Sequence, residues 1–220
     1  MTSNPKIAIL LAGSGNRDGS EIHESVCTLL ILAKKQIPYQ CFAPDEPQKR
    51  VVNHKTGVVI NETRNMLAES ARIARGAVEP LQNLKASDFS AVIIPGGGGA
   101  ITYNLSNFAE KGADCTIHPE VARVIEEFHK AKKPIGAICI APILVAKVLG
   151  KHKVEVTFGT SDEMKSPIEK MGAKLKKKEV TEAYTDIFNK VVSTPAYMEA
   201  KNIVDVYTGI EKLVEMVLKL

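Results

Sequence analysis

Residues 132–148 read KKPIGAICIAPILVAKV. The apolar run from Pro134 to Ile138 predicts a buried strand, and a helix follows from about 141 to 149. Pro142 falls in the first helical turn, where a missing N–H is harmless. Cys139 sits at the junction, with Ala137 and Ala141 two residues away on either side. Small residues at those spacings are what a nucleophile elbow needs, because the chain bends too sharply for larger side chains. A helix N-terminus behind the sulfur is expected to favour a thiolate and lower the thiol pKa. The competing reading is a structural cysteine buried in a strand.

Two other strand ends carry unusual residues. Ala91 to Ile94 predicts a strand that runs into IIPGGGGA, residues 93–100. Successive glycines let backbone N–H groups face a cleft, so Gly97 and Gly98, with the N–H of Ile140, are candidates for an oxyanion hole. The alternative is a flexible connection. Residues 6–12, KIAILLA, predict a strand buried on both faces, followed by the turn GSGNRDG. A helix over 20–36 follows, read from Val26, Leu29, Leu30 and Ala33 at helical spacing, with Ser20 as its cap. Glu21 and Glu24 lie three apart in its first turns. Capping suffices for Glu21, whereas Glu24 is placed to reach a neighbouring strand end and carry protons beside a thiol. His23, between them, is expected to point elsewhere.

The remaining chain alternates in the same way. Tyr39 to Ala43 predicts a strand, residues 45–61 an inserted hairpin, and 62–74 a helix. A long loop from Gly96 to Pro119 leads to a helix over 119–131. Val154 to Phe158 predicts a strand, Thr185 to Val192 a hairpin or edge pair, and 198–219 a closing helix. Such alternation implies a single α/β domain with a mostly parallel sheet and helices on both faces. Ligands in such sheets bind beyond the carboxyl ends of the strands. Residues 13–24, 95–99 and 139–142 converge there.

Bulk composition narrows the classes. The net charge of the 220 residues is only +4 and aromatics are 5%, so a nucleic-acid groove with stacking side chains is not expected. The basic run Lys174, Lys176, Lys177 and Lys178 reads as a solvated edge. The longest apolar stretch, Ile135 to Gly150, is broken by Pro142 and Lys147, so no membrane span is expected. Cysteines at 27, 41, 115 and 139 form neither a disulfide framework nor a zinc pattern. With no leader read at the start, reduced thiols imply a cytoplasmic protein.

The motifs together resemble a known family. LAGSGNRDGSEIHE, CFAPD, NHKTG, ETRNMLAESARIARG, IIPGGGGA, NLSNFAEKGADCT, GAICIAP and STPAYM, in this order, resemble the PfpI-type superfamily of glutamine-amidotransferase-like proteins, in particular its ElbB branch. The resemblance implies a flavodoxin-like α/β sandwich, a homodimer and no cofactor. It implies that Cys139 is the elbow nucleophile, that Glu24 hydrogen bonds it, and that the amides of Gly97, Gly98 and Ile140 form the oxyanion hole. It also implies weak glyoxalase activity and an association with isoprenoid biosynthesis. Peptidase members carry His after the cysteine, where this chain has Ile140. His118 precedes Cys139, the wrong order for an amidotransferase triad; it is a possible site-lining residue or a cap on the next helix. Cys115 is a second thiol, more simply read as inert.

Three functions follow as expectations. The first is a glyoxalase III-like lyase: Cys139 adds to a small 2-oxoaldehyde, Glu24 moves a proton between the two carbons, and water releases the 2-hydroxy acid. The second is a non-catalytic redox-responsive or interaction protein using the same cysteine. The third is a dinucleotide-dependent enzyme, resting on GSGNRDG and on Asp45, with glycine spacing that departs from the usual fingerprint.

Overall fold

The structure, a computed structural model, describes residues 6–220. Residues 1–5, where no leader was read above, lie outside the described residues. Strands β1 to β11 are Ile7–Leu10, Tyr39–Ala43, Val51–Val52, Val59–Ile60, Val78–Pro80, Ala91–Ile94, Ile135–Ile138, Glu155–Val156, Lys174–Leu175, Tyr184–Asp186 and Val191–Thr194. Helices α1 to α7 are Ile22–Lys34, Met66–Ala74, Phe108–Lys111, Pro119–Lys130, Pro142–Leu149, Lys165–Lys170 and Ile203–Lys219.

The predicted α/β class is what forms. Seven strands make one sheet in the order β10-β11-β7-β6-β1-β2-β5. Every pairing in it is parallel except β10 with β11. All residues of β1, β6, β7 and β11 are buried, which explains their unbroken apolar runs. From β1 the chain winds outward to β2 and β5, then returns to build β6, β7 and β11 on the other side. The carboxyl ends of β1 and β6 therefore flank the point where strand order reverses, and a crevice opens there.

Short elements that the sequence reading did not anticipate are β5, β9, α3 and α6, and two predicted strand segments take other partners. Residues 185–192 do not form an isolated edge pair: β10 is the antiparallel edge, but β11 joins β7 in parallel register and extends the central sheet. Val154–Phe158 shortens to β8, which pairs with β9 in a small separate sheet. Within residues 45–61, β3 and β4 pair antiparallel.

Helix α1 turns its expected side outward. Val26 and Leu30, which revealed its periodicity, are exposed, whereas Glu24, Ser25, Cys27, Thr28, Ile31 and Leu32 are buried. Its cap is Glu21, whose carboxylate accepts from the Glu24 N–H at 2.7 Å. Ser20 instead accepts from the Ala12 N–H at 2.8 Å and ties the glycine turn to the end of β1.

Candidate active site

Cys139 follows β7 directly and adopts a φ of 60°, in the left-handed region that a non-glycine residue avoids. Holding it there costs about 1–3 kcal/mol. The Cys139 N–H donates to the Thr194 carbonyl at 2.9 Å, so the neighbouring strand β11 pins the elbow. The side chain is only 7% exposed, yet it reaches the floor of a cavity.

Glu24 reaches the same point from α1. Its carboxyl group is fully buried and hydrogen bonds the Cys139 thiol. Oε2 accepts from the Gly96 N–H at 2.8 Å, and Oε1 from the Tyr197 N–H at 3.4 Å. Gly96 makes this meeting possible: a Cβ there would lie 2.7 Å from the Cys139 Cβ and 2.9 Å from Glu24 Oε2. Gly97 has a φ of 101°, and a Cβ on it would strike the Glu21 nitrogen at 2.5 Å.

Electrostatics reverse one expectation. Burial, aided by the nearby charge of Glu21, raises the Glu24 pKa to about 8, so the carboxyl group is mostly protonated at neutral pH. Burial also pushes the Cys139 thiol well above its ordinary value, and the Glu24 carboxylate adds to the rise. The N–H groups of Ile140 and Gly97 bond the sulfur and pull in the opposite direction. The helix N-terminus was expected to lower the thiol pKa. Desolvation outweighs it, because a thiolate at this depth forfeits most of the solvation that water would give it. The pair holds its protons at neutral pH and releases them in coupled steps.

The oxyanion-hole candidates divide. Gly97 and Ile140 direct their N–H groups at the sulfur. The Gly98 N–H instead donates to the Asn16 carbonyl at 2.8 Å, so it is not free to receive an oxyanion. Gly98 contributes only to the cavity wall.

The cavity has a volume of about 610 Å³. Ile101, Ile140 and Met198 form its apolar side; Asn16, Glu21, His23 and Tyr197 form its polar side. Glu24 is not part of the lining; it lies behind Cys139. His118 does not line it either. Its Nδ1 accepts from the Glu120 N–H at 3.2 Å, capping α4, and its Nε2 lies 3.1 Å from Glu46 Oε1. Cys115 is buried away from the cavity, and burial raises its pKa.

His23 and Tyr197 were missed by the sequence reading. His23 was expected to face elsewhere, but its Nδ1 lies 2.6 Å from the Tyr197 hydroxyl at the cavity wall. The signal was present in STPAYM, immediately after β11. Reading β11 as an edge hairpin hid the fact that its carboxyl end opens on the same crevice.

The glycine turn does not make a phosphate cradle. The Gly13 N–H donates to Ser70 Oγ at 2.9 Å, and the Gly15 and Gly19 N–H groups bond to carbonyls within the turn. Asp45 accepts from Asn65 Nδ2 at 2.8 Å, beside the α2 cap. Both residues of the dinucleotide reading are thus engaged structurally. Among the described residues, no helix is long and apolar enough to cross a membrane, and no cluster of three or more His, Cys, Asp or Glu is arranged to hold a metal ion.

The chain is similar to known proteins. The DJ-1/PfpI family profile matches residues 17–194. The chain is 46% identical over 225 residues to the human glutamine amidotransferase-like class 1 domain-containing protein 3, mitochondrial, covering 98% of this chain and 83% of that protein. It is 38% identical over 212 residues to the zebrafish (Danio rerio) ES1 protein, mitochondrial, covering 89% of this chain and 77% of that one. Rat (Rattus norvegicus) ES1 protein homolog, 45% identical over 225 residues and covering 98% of this chain and 84% of its own, is also named mitochondrial. These relatives, named mitochondrial, overturn the cytoplasmic expectation; the count of free cysteines had no bearing on that distinction. A crystal structure of an isoprenoid biosynthesis protein with amidotransferase-like domain from Ehrlichia chaffeensis superposes with a TM-score of 0.90 at 40% identity, covering 98% of this chain and all (100%) of that one. Schizosaccharomyces pombe DJ-1, at 20% identity, TM-score 0.57 and coverage of 96% and 90%, shares the fold. The strand-to-helix turn at Cys139, the buried carboxyl group behind it and the sheet that aligns them thus belong to a chain that is a member of the DJ-1/PfpI family.

Proposed function

We propose that this protein is a cofactor-independent, glyoxalase III-like lyase of the ElbB branch, converting glyoxal and methylglyoxal to 2-hydroxy acids. The observation that carries this reading is the Cys139 sulfur on the cavity floor, bonded by Glu24 and by the N–H groups of Gly97 and Ile140. The thiol adds to the aldehyde carbon: the sulfur–carbon bond forms, the thiol proton passes to Glu24 in its ionised form, and the carbonyl oxygen takes its proton from water in the cavity. The two N–H groups steady the negative charge that develops on that oxygen. The resulting hemithioacetal rearranges to a thioester, and water cleaves it to release the acid and regenerate the thiol.

The cavity suits uncharged substrates. Glu21 lines it, Glu24 lies just behind Cys139, and among the described residues no Lys or Arg lines it. The redox-sensor alternative is less well supported, because a buried thiol with a raised pKa presents little thiolate to peroxide. The isoprenoid association named for the Ehrlichia protein is extended to this chain as part of the proposal. The same proposal includes a homodimer. Turnover of glyoxal and methylglyoxal by wild type and Cys139→Ala tests the activity. Wild type forms glycolate and lactate, and Cys139→Ala forms neither. Turnover that persists in Cys139→Ser would exclude the thiol mechanism.

A further inference from the structure

The rearrangement from hemithioacetal to thioester requires a base that touches the substrate carbons. Glu24 was expected to serve, yet it is fully buried behind the sulfur and absent from the cavity wall. The cavity wall holds three other groups able to move a proton: Glu21, His23 and Tyr197. Glu21 is committed to α1, its Oε2 accepting from the Glu24 N–H. His23 is exposed, so its ring can exchange protons with water, and its Nδ1 is fixed 2.6 Å from the Tyr197 hydroxyl. Tyr197 is in turn held at the site, its own N–H donating to Glu24.

We propose that His23, oriented by Tyr197, is the catalytic base that carries the proton between the two substrate carbons, and that Glu24 serves only the thiol. This rests on the glyoxalase reading above. With Nδ1–H donating to the Tyr197 oxygen, Nε2 keeps a free lone pair. Nε2 takes the proton from the sulfur-bearing carbon, and the electron pair left behind forms an enediolate with the adjacent carbonyl. The hydroxyl proton on the first carbon moves to the enediolate oxygen, and the imidazolium returns its proton to the second carbon. The product is a hydroxyacyl thioester, with no net gain or loss of protons or electrons. The ionisable groups that share the cavity wall with His23 are Glu21, Tyr197 and Cys139, with Glu24 buried behind Cys139.

The test uses glyoxal with wild type, His23→Asn and Tyr197→Phe in deuterium oxide. Wild type places deuterium on C2 of glycolate, because an exposed imidazole exchanges its proton. His23→Asn loses at least 100-fold in kcat but still forms the hemithioacetal, read as glyoxal protection of Cys139 against iodoacetamide. Tyr197→Phe loses less, in kcat and not in KM, because the imidazole stays in place but loses the hydroxyl that orients it. An unchanged kcat in His23→Asn, or glycolate without deuterium, overturns the role of His23 while leaving the glyoxalase reading intact. An inactive wild type overturns both.

Discussion

At the scale of single residues, Glu24 sets the behaviour of the site. An ordinary carboxyl group titrates near 4.5, and burial raises this one to about 8. The folded state therefore holds a proton that the unfolded chain has released across that interval. Its contribution to stability is complete below the unfolded value and lost as pH rises through the folded one, with a slope of up to about 1.4 kcal/mol per pH unit. Glu24→Gln keeps a neutral, hydrogen-bonding side chain and removes this titration. Melting curves from pH 5 to pH 9 are expected to fall more steeply for wild type than for Glu24→Gln; parallel curves would mean the carboxyl group is not buried in the neutral form. Cys139 as the elbow residue was legible because small-x-Cys-x-small is a local steric demand. The direction of its pKa was not, because desolvation comes from β11, α1 and the 95–99 loop, all remote in sequence.

At the scale of elements, the site depends on how closely the β6 loop approaches the β7 elbow. Gly96 has room for a hydrogen and nothing larger. Gly96→Ala would drive a methyl group between the Cys139 Cβ, Glu24 Oε2 and the Ile138 carbonyl, each under 3.0 Å away. An expected loss of about 1–3 kcal/mol in denaturant unfolding follows from overpacking, together with loss of glyoxal turnover. Wild-type activity in this variant would show that the thiol and carboxyl group need not touch. Helix α1 shows where sequence periodicity stops helping. Its spacing identified a helix, but both faces carry apolar residues, and only tertiary contact decides that Ile31 and Leu32 face inward while Val26 and Leu30 face out. Similarly, β11 was short and followed a turn, so nothing local distinguished an edge hairpin from a strand that completes the sheet. The cost was the Tyr197 side of the cavity.

At the scale of the whole molecule, the outward face of α1 is an apolar surface beside the site that one copy of the chain leaves exposed. Ile22, Val26 and Leu30 recur every fourth residue and are 43–49% exposed, forming a single stripe. The same helix supplies Glu24 to the thiol and His23 to the cavity wall, so a partner seated on it would rest against the rim of the site. A contiguous exposed apolar stripe favours association, and a two-fold axis lets one such stripe pack against its own copy. Val26→Glu is expected to be tolerated by the isolated fold, since the side chain already meets water, but to place two like charges in a symmetric contact. Light scattering after size exclusion should give wild type at twice the 23.9 kDa chain mass and Val26→Glu at the chain mass itself. Wild type at the chain mass at micromolar concentration would remove the dimer from the proposal. A dimer that survives Val26→Glu would move its contact away from α1, and the site's rim would then be open to solvent on that side.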